Sequence, residues 1–282
     1  YSIVVLDLGG TKINVGRYRN GLIEQNRVLP FDGTLSMGDS ISFIVQCINE
    51  VKLEDSCAIA IGVPSIVDVN AGIVYSAVNI KSWQKVYLKE ELEKSCNLPA
   101  YINNDVNCFT VGEHLSGIGR GHTDMVGLCL GTGIGAGIIL QNKLYSGTNC
   151  CAGEVGGIRY LDGYLDDYCS GSFFKKHYQQ CGSKLAEQAR KGDKKAIISF
   201  EQFGMHLSVA IKYLLSMIDP QLIVIGGSVS QSFDLFIEAV WTNLSDFPYP
   251  NVIENLVIEK SQQPNSALFG AAQLYFESKE VM

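Results

Sequence analysis

Ser2-Ile3-Val4-Val5-Leu6 is an unbroken apolar run rich in β-branched residues, the pattern of a strand buried on both faces. After Gly9-Gly10, Ile13 and Val15 alternate with Asn14 and Gly16, which predicts a second strand. Asn20-Gly21 then predicts a type I′ hairpin turn into a third. The same order recurs as a strand over 125–130, a turn at 131–133, a strand over 134–140 and a turn at Gln141-Asn142. This is a weak internal duplication, carried by pattern more than by identity. Between the copies, Ala58–Val63 reads as a buried strand ending at Pro64, Asn79–Trp83 as a loop and Lys85–Cys96 as a helix. Tyr101–Asn103 reads as a short strand and Asp105–Leu115 as a helix. Phe203, Leu207, Ile211, Leu214 and Ile218 fall at helical spacing, a long amphipathic helix stopped by Asp219-Pro220. A strand over Leu222–Ile225, a turn at Gly226-Gly227-Ser228 and another helix follow, and an alanine-rich helix from Ser266 to Glu277 ends the pattern.

Strands, hairpins and crossing helices in this order predict an α/β protein of two halves. The C-terminal helix is expected to return to the first half, giving residues 1–103 plus 264–282 as one domain and 104–263 as the other. The 282 residues, 46% of them apolar, are enough for two cores of ordinary size. A net charge of −7 with no Lys/Arg cluster argues against a nucleic-acid partner, whose phosphates such residues must neutralise. The longest apolar run, Leu128 to Leu140, is broken by glycines and falls short of the roughly 20 residues that cross a bilayer. Nine cysteines without paired spacing read as reduced thiols. With no basic-then-apolar opening segment, a cytoplasmic protein without a membrane partner is expected.

Two glycine turns carry the candidate chemistry. Asp7-Leu8-Gly9-Gly10-Thr11-Lys12 and Leu130-Gly131-Thr132-Gly133-Ile134-Gly135 each follow an apolar strand and precede another. A P-loop lies between a strand and a helix and has a different spacing, so neither turn is one. A glycine hairpin still offers backbone N–H groups to phosphate oxygens, and glycine permits close approach. Either turn alone reads best as an ordinary hairpin; two in one chain point to phosphate held across a cleft, and so to phosphotransfer. Asp7 at a strand end is placed to orient a phosphate-bound Mg²⁺. The second turn runs into strand rather than helix, against a Rossmann site. Glycines at alternate positions there bare one strand face for a ligand or another backbone. Gly226-Gly227-Ser228 is either a resting place for a nucleoside or a plain β–α turn. Asp105, after Asn103-Asn104, is either a helix N-cap or a carboxylate that accepts the proton of an alcohol attacking phosphorus. Glu154, in Gly153-Glu154-Val155-Gly156-Gly157, is either a site acid or a solvated loop residue.

Taken together, Asp7-x-Gly-Gly-Thr-Lys12, Asn104-Asp105-x-Asn107 with Gly112-Glu113, Leu130-Gly-Thr-Gly-x-Gly135, Gly153-Glu-Val-Gly156 and Ala267-x-x-Gly270-Ala271-Ala272 resemble the ROK family of sugar kinases and sugar-responsive repressors, in the family's order and over nearly the whole chain. The resemblance implies the actin-like/hexokinase superfamily fold, two ribonuclease-H-like domains around a nucleotide cleft. It implies ATP and Mg²⁺ as cofactors, a small-molecule sugar as partner substrate, and a homodimer. It makes Asp105 the catalytic base, with Asn79, Asn104, Glu154 and the Gly62 loop as sugar contacts. Asp7, Gly9, Gly10, Thr11, Lys12, Gly131, Thr132, Gly133, Gly226 and Gly227 fall to the nucleotide, with magnesium held through it and by Asp7.

Three departures stand out. Ser65 replaces the last glycine of the family's Gly-x-Pro-Gly loop. Gly157 replaces the histidine of Glu-x-Gly-His, and Leu161–Ser170 keeps only Cys169 of the family's zinc cysteines. No zinc is therefore expected, and the Gly156–Asp167 loop is expected to be held by Ile158, Tyr160, Leu161, Tyr164 and Leu165. Matching the Ser170-Gly171 end of that segment puts Asp166 at the family's second sugar-contact glutamate. The expected activity is ATP-dependent phosphorylation of a hexose or N-acetylhexosamine at the 6-hydroxyl, with glucose or N-acetylmannosamine foremost. The alternative is a non-catalytic sugar-sensing regulator of the same family. Such a regulator needs a DNA-binding module ahead of the first loop, where this sequence has six residues before Asp7.

Overall fold

In the computed structural model, which describes residues 1–280, the apolar runs become two five-stranded sheets with the same strand order. The first begins with the antiparallel strands β1 (Ser2–Leu8), β2 (Lys12–Arg19) and β3 (Leu22–Pro30). Asn20 and Gly21 both take positive φ, as a type I′ turn demands. Helix α1 (Met37–Val51) leads to β4 (Ser56–Val63), parallel to β1. A side sheet of β5 (Ile66–Asp68), β6 (Ile73–Tyr75) and β7 (Lys85–Val86) and helix α2 (Leu88–Cys96) precede β8 (Ala100–Asn104). β8 completes the order β3-β2-β1-β4-β8. The helix expected from Lys85 thus starts at Leu88, because Lys85 and Val86 pair with Tyr75 and Val74, and non-local pairing outweighs local propensity.

Helix α3 (Asp105–Ser116) leads into the second sheet, whose antiparallel strands are β9 (Met125–Leu130), β10 (Ile134–Leu140) and β11 (Lys143–Leu144). A hairpin of β12 (Arg159–Tyr160) and β13 (Gly163–Tyr164) follows, then α4 (Leu165–Tyr168), α5 (Gly171–Tyr178), α6 (Gly182–Arg190) and the long α7 (Lys194–Ile218). β14 (Leu222–Gly226), α8 (Phe233–Leu244), α9 (Pro250–Asn255), β15 (Val257–Lys260) and α10 (Ser266–Glu280) complete the fold. β14 lies parallel to β9 on one side and β15 on the other.

The central strands of both sheets are buried on both faces, as their continuous apolar runs demand. In β1, Val4, Leu6 and Leu8 join a core with Ile44 and Ile48 of α1, while Ile3 and Val5 face Leu268 and Ala271 of α10. In the second sheet, Leu128 and Leu130 meet Phe203 and Leu207 of α7, and Met125 and Val224 meet Val111 of α3. Helix α3 explains the bared strand face. Gly127 and Gly137 are register partners, and a Cβ on them would lie 2.2 and 2.1 Å from Thr110 Oγ1. The occupant of that face is therefore a helix rather than a ligand. Helices α3 and α10 cross just as closely, a Cβ on Gly270 falling 1.7 Å from the Cys108 carbonyl oxygen. Fully buried Glu113 accepts hydrogen bonds from the hydroxyls of Ser261 and Ser266 at this crossing. Among the described residues, no helix is long and apolar enough to cross a membrane.

Candidate functional site

The parallel strands β1, β4 and β8 end at a common edge, with the polar Asp7 near the end of β1 and Asn104 at the end of β8. Asp7 pairs with Gly62, and Val63 pairs with Asn104. A Cβ on Gly62 would lie 3.1 Å from the Asp105 Cα, so Gly62 lets α3 start directly against this edge. Asn104 is the N-cap of α3. Its Oδ1 accepts from the N–H groups of Val106 at 2.8 Å and Asn107 at 3.0 Å. The capping alternative for Asp105 is thereby corrected: β8 extends through Asn104, which takes the cap and leaves Asp105 as the first residue of the helix.

Asp105 therefore sits at a helix N-terminus, where one carboxylate oxygen accepts the Val106 N–H at 2.9 Å. Burial pushes its carboxyl up to about 7, reinforced by the charges of Asp7 and Glu154 and opposed by the Val106 N–H. Asp7 is pushed up to about 6 by burial, with Lys12 opposing. Two carboxyl groups, one near the end of β1 and one at the start of α3, thus feel each other in a desolvated space. Perturbation of this size by burial and charge marks a candidate site.

Glu154 reaches the same space from the second half of the chain. Its loop is pinned on β10, where the Ala136 N–H donates to the Gly153 carbonyl at 2.8 Å. Gly153 has φ +95° and packs so tightly that a Cβ would strike that strand. The Asn104 amide donates to Glu154 Oε1 at 3.4 Å and to the Ser65 carbonyl at 3.1 Å. Ser65, the departure from Gly-x-Pro-Gly, is buried and its hydroxyl donates to the Tyr75 carbonyl, anchoring the loop to β6. Asp166 lies near Glu154, whose carboxyl is raised by burial and then by the Asp166 charge. Asp166 Oδ1 accepts the Ile134 N–H at 2.7 Å, a role in shaping the second glycine turn that sequence reading missed. No local signal announces it, because 32 residues separate the partners. Asn79 is exposed, with φ +63°, and packs where a Cβ on Gly10 would come within 2.4 Å of its own Cβ.

The two glycine turns are built to free their donors. The Gly131 carbonyl accepts from Gly171 N at 2.8 Å, and the Thr132 carbonyl accepts from the Ser170 and Ser172 hydroxyls. Gly9 N donates to the Lys12 carbonyl at 2.8 Å and the Thr11 carbonyl accepts from Phe31 N at 2.9 Å. The N–H groups of Gly10, Thr11, Thr132 and Gly133 have no protein acceptor among the described residues. Carbonyls turned into the protein and N–H groups left outward make an anion cradle. Gly226 is placed differently: a Cβ there would lie 2.4 Å from Phe109 Cζ, so it accommodates α3. Gly227, with φ +83°, packs over the Leu130 backbone beside the second turn.

The region that would hold zinc has a different construction. Cys169 is fully buried in the apolar core, and burial pushes its thiol well up. A structural zinc site needs four such donors, and the residues present do not fit one. Among the described residues, no group of three His, Cys, Asp or Glu side chains is placed to share a metal ion. Aromatic packing occupies this place instead. Tyr160 Oη and His206 Nδ1 are hydrogen-bonded at 3.0 Å, and Tyr168 lies 5.2 Å from Tyr160 and 4.9 Å from His206 between ring centres. Of the five residues expected to hold the loop, Ile158, Tyr160 and Leu165 pack on the core. Leu161 and Tyr164 are exposed, a correction: Leu161 lies at the tip of the β12–β13 hairpin, and Tyr164 packs its ring under the Arg159 guanidinium on the outer side.

Known proteins are similar to this chain in sequence and fold. The ROK family profile matches residues 3–278. Glucokinase of Thermotoga maritima is 27% identical over 98% of this chain and 97% of its own. N-acetyl-D-glucosamine kinase of Photobacterium profundum is 29% identical over 82% of this chain and 85% of its own. The crystal structure of a ROK family glucokinase from Streptomyces griseus, in complex with glucose and AMPPNP, superimposes with a TM-score of 0.85 at 26% identity, covering 97% of this chain and 99% of that one. The chain belongs to the ROK family.

Proposed function

We propose that this protein is an ATP-dependent sugar kinase that phosphorylates a hexose or N-acetylhexosamine on its 6-hydroxyl. One observation carries the reading: Asp105, raised to about 7 by burial and by Asp7, lies between a cluster of polar sugar-sized contacts and two cradles of free N–H groups. Relatives that act on glucose and N-acetyl-D-glucosamine support the substrate class.

In this mechanism Asn79, Glu154 and Asp166 position the sugar, while Asn104 holds Glu154 and the start of α3. The N–H groups of Gly10, Thr11, Thr132 and Gly133 hold the phosphates, and Gly227 borders the nucleoside. The Asp105 carboxylate accepts the sugar hydroxyl proton as the oxygen attacks the terminal phosphorus, leaving Asp105 protonated and ADP as the leaving group. Phosphoryl transfer asks the protein mainly for position and charge stabilisation. Asp7, a desolvated carboxyl countered by Lys12, fits a magnesium-bearing nucleotide; the ion supplies charge neutralisation on the phosphates. The chain divides, in this reading, into residues 1–103 with 264–282 and residues 104–263, which move about the α3–α10 crossing.

An ADP-release assay over glucose, mannose, fructose, N-acetylglucosamine and N-acetylmannosamine tests the activity, with Asp105→Asn as the decisive variant. General-base catalysis contributes about 10²–10⁴-fold, so kcat falls by at least 100-fold while sugar affinity changes little. Asn104 keeps the cap, so the variant folds. Sugar binding without turnover in the wild-type chain would favour the sensor reading. A variant keeping more than about a tenth of wild-type kcat would remove Asp105 from the role of base.

A further inference from the structure

A second cavity, lined by neither Asp7 nor Asp105 of the front cleft, opens elsewhere on the molecule. It has a volume of about 950 Å³ and an open mouth, and both halves of the chain build it. The β5–β6 hairpin contributes Asn70 and Tyr75, the segment after β11 contributes Ser146, Thr148 and Asn149, and α10 contributes Gln273. Its charged lining is Lys143 against Asp68 and Glu277. Such a wall offers neutral amide and hydroxyl groups beside one aromatic ring, with more negative than positive charge. Neutral polyhydroxylated ligands suit it, since each hydroxyl needs a partner able to donate and accept, and a ring face packs on an aromatic side chain. An anionic ligand does not.

The floor gives a second, independent sign. Asn103 is only 4% exposed and lines the cavity. Its Oδ1 turns inward to three donors, the N–H of Asn104 at 2.7 Å, the amide of Asn107 at 3.1 Å and the thiol of Cys150 at 3.5 Å. Its own amide nitrogen has no protein partner among the described residues and is not fully enclosed, which leaves it available to a ligand in the cavity. The next residue, Asn104, caps the helix that begins with Asp105. Asn103 thus links the floor of this cavity to the strand end from which α3 and Asp105 begin.

We propose that this cavity is a second saccharide site, taking a neutral mono- or disaccharide that bridges the two halves and accepts a hydrogen bond from the Asn103 amide on one of its hydroxyl oxygens. The site is distinct from the catalytic sugar position, and its occupancy needs no phosphoryl transfer. Its test is therefore separate from that of the kinase reading.

Saturation-transfer NMR on the full chain provides the test, with glucose, N-acetylglucosamine, N-acetylmannosamine, maltose and sucrose as probes and glucose 6-phosphate as the charged control. Two sets of variants separate the sites. Glu154→Ala disables the front cleft, while Thr148→Trp and Asn70→Trp fill the cavity from opposite exposed walls. The expected result is at least one neutral saccharide whose signal survives Glu154→Ala and falls at least fivefold in both tryptophan variants, with wild-type melting behaviour throughout. Signals lost in Glu154→Ala and unchanged in both tryptophan variants would confine sugar to the front cleft and overturn the proposal. So would the absence of any signal, or one that survives all three variants. A glucose 6-phosphate signal stronger than that of glucose in Glu154→Ala would overturn the ligand class.

Discussion

Asp105 and Asp7 illustrate how two residues of one type acquire different work from their positions. Burial is the first cause of each raised carboxyl, but Asp105 also feels Asp7 as a like charge, whereas Asp7 has Lys12 to oppose the shift. A base of this kind is active only when deprotonated. With Asp105 pushed up to about 7, kcat/KM falls as pH drops through about 7 in the free enzyme. Asp7→Asn removes a charge that raises the Asp105 carboxyl, so the acid limb moves to lower pH. The same change takes away the carboxylate assigned to the magnesium nucleotide, so KM for ATP rises. A pH–rate profile of wild type and variant measures both effects. An acid limb at the same pH in both proteins would show that Asp7 and Asp105 do not share a field.

Among the elements, the segment from β12 to α5, where the family resemblance would place zinc ligands, is held by aromatic packing. Tyr160 reaches across 46 residues to His206 on α7, and Tyr168, Phe173 and His177 close the cluster around it. Burial, and then the charge of His177, lowers the His206 pKa. A lowered base contributes stability that is present above the unfolded pKa, near 6.5, and lost as pH falls below it. Tm of the wild type should therefore drop between pH 7 and 5, and His206→Phe should remove part of that slope. At pH 7 the variant loses the Tyr160 hydrogen bond, a cost of about 1 kcal/mol. Elemental analysis of untagged protein should find well under one zinc per chain. Stoichiometric zinc, or a pH slope untouched by the variant, would show that aromatic packing is not what holds this segment. His206 was beyond sequence reading because its partner is remote and its helix reads simply as amphipathic. By contrast, β1, β2, β9 and β10 were legible, since residue alternation and type I′ turns are local signals. The side sheet β5–β7 was not, because strands of two or three residues exist only through their pairing. Asp105 was found, but the cap was ambiguous by one residue, which only the reach of β8 decides. Gly135 and Gly137 read as a bared face, and only the fold shows that Val106 and Thr110 of α3 fill it.

At the scale of the molecule, neither sheet alone completes the proposed site. Asp7, Gly10 and Thr11 belong to the first sheet's hairpin, and Thr132 and Gly133 to the second's. Glu154 comes from a loop pinned on β10, yet its amide partner Asn104 ends β8. A sugar and a nucleotide that touch both sides gain full contact only when the two sides approach. That approach also removes water, the rival acceptor for the phosphoryl group. The connection that must bend is the α3–α10 crossing. Its tight backbone contact at Gly270 and the buried Glu113 bonds to Ser261 and Ser266 resist separation there. In the proposed closure, these contacts confine the motion to rotation about the crossing. Small-angle scattering should thus show a smaller radius of gyration with sugar plus a non-hydrolysable ATP analogue than with either ligand alone. Asp105→Asn should close to the same extent, because the base takes no part in holding either ligand. Closure in both proteins, with turnover in only one, would separate the motion from the chemistry. An unchanged radius in the wild type under saturating ligands would mean that the halves are already fixed in their final relation, and that water is excluded by some means other than closure.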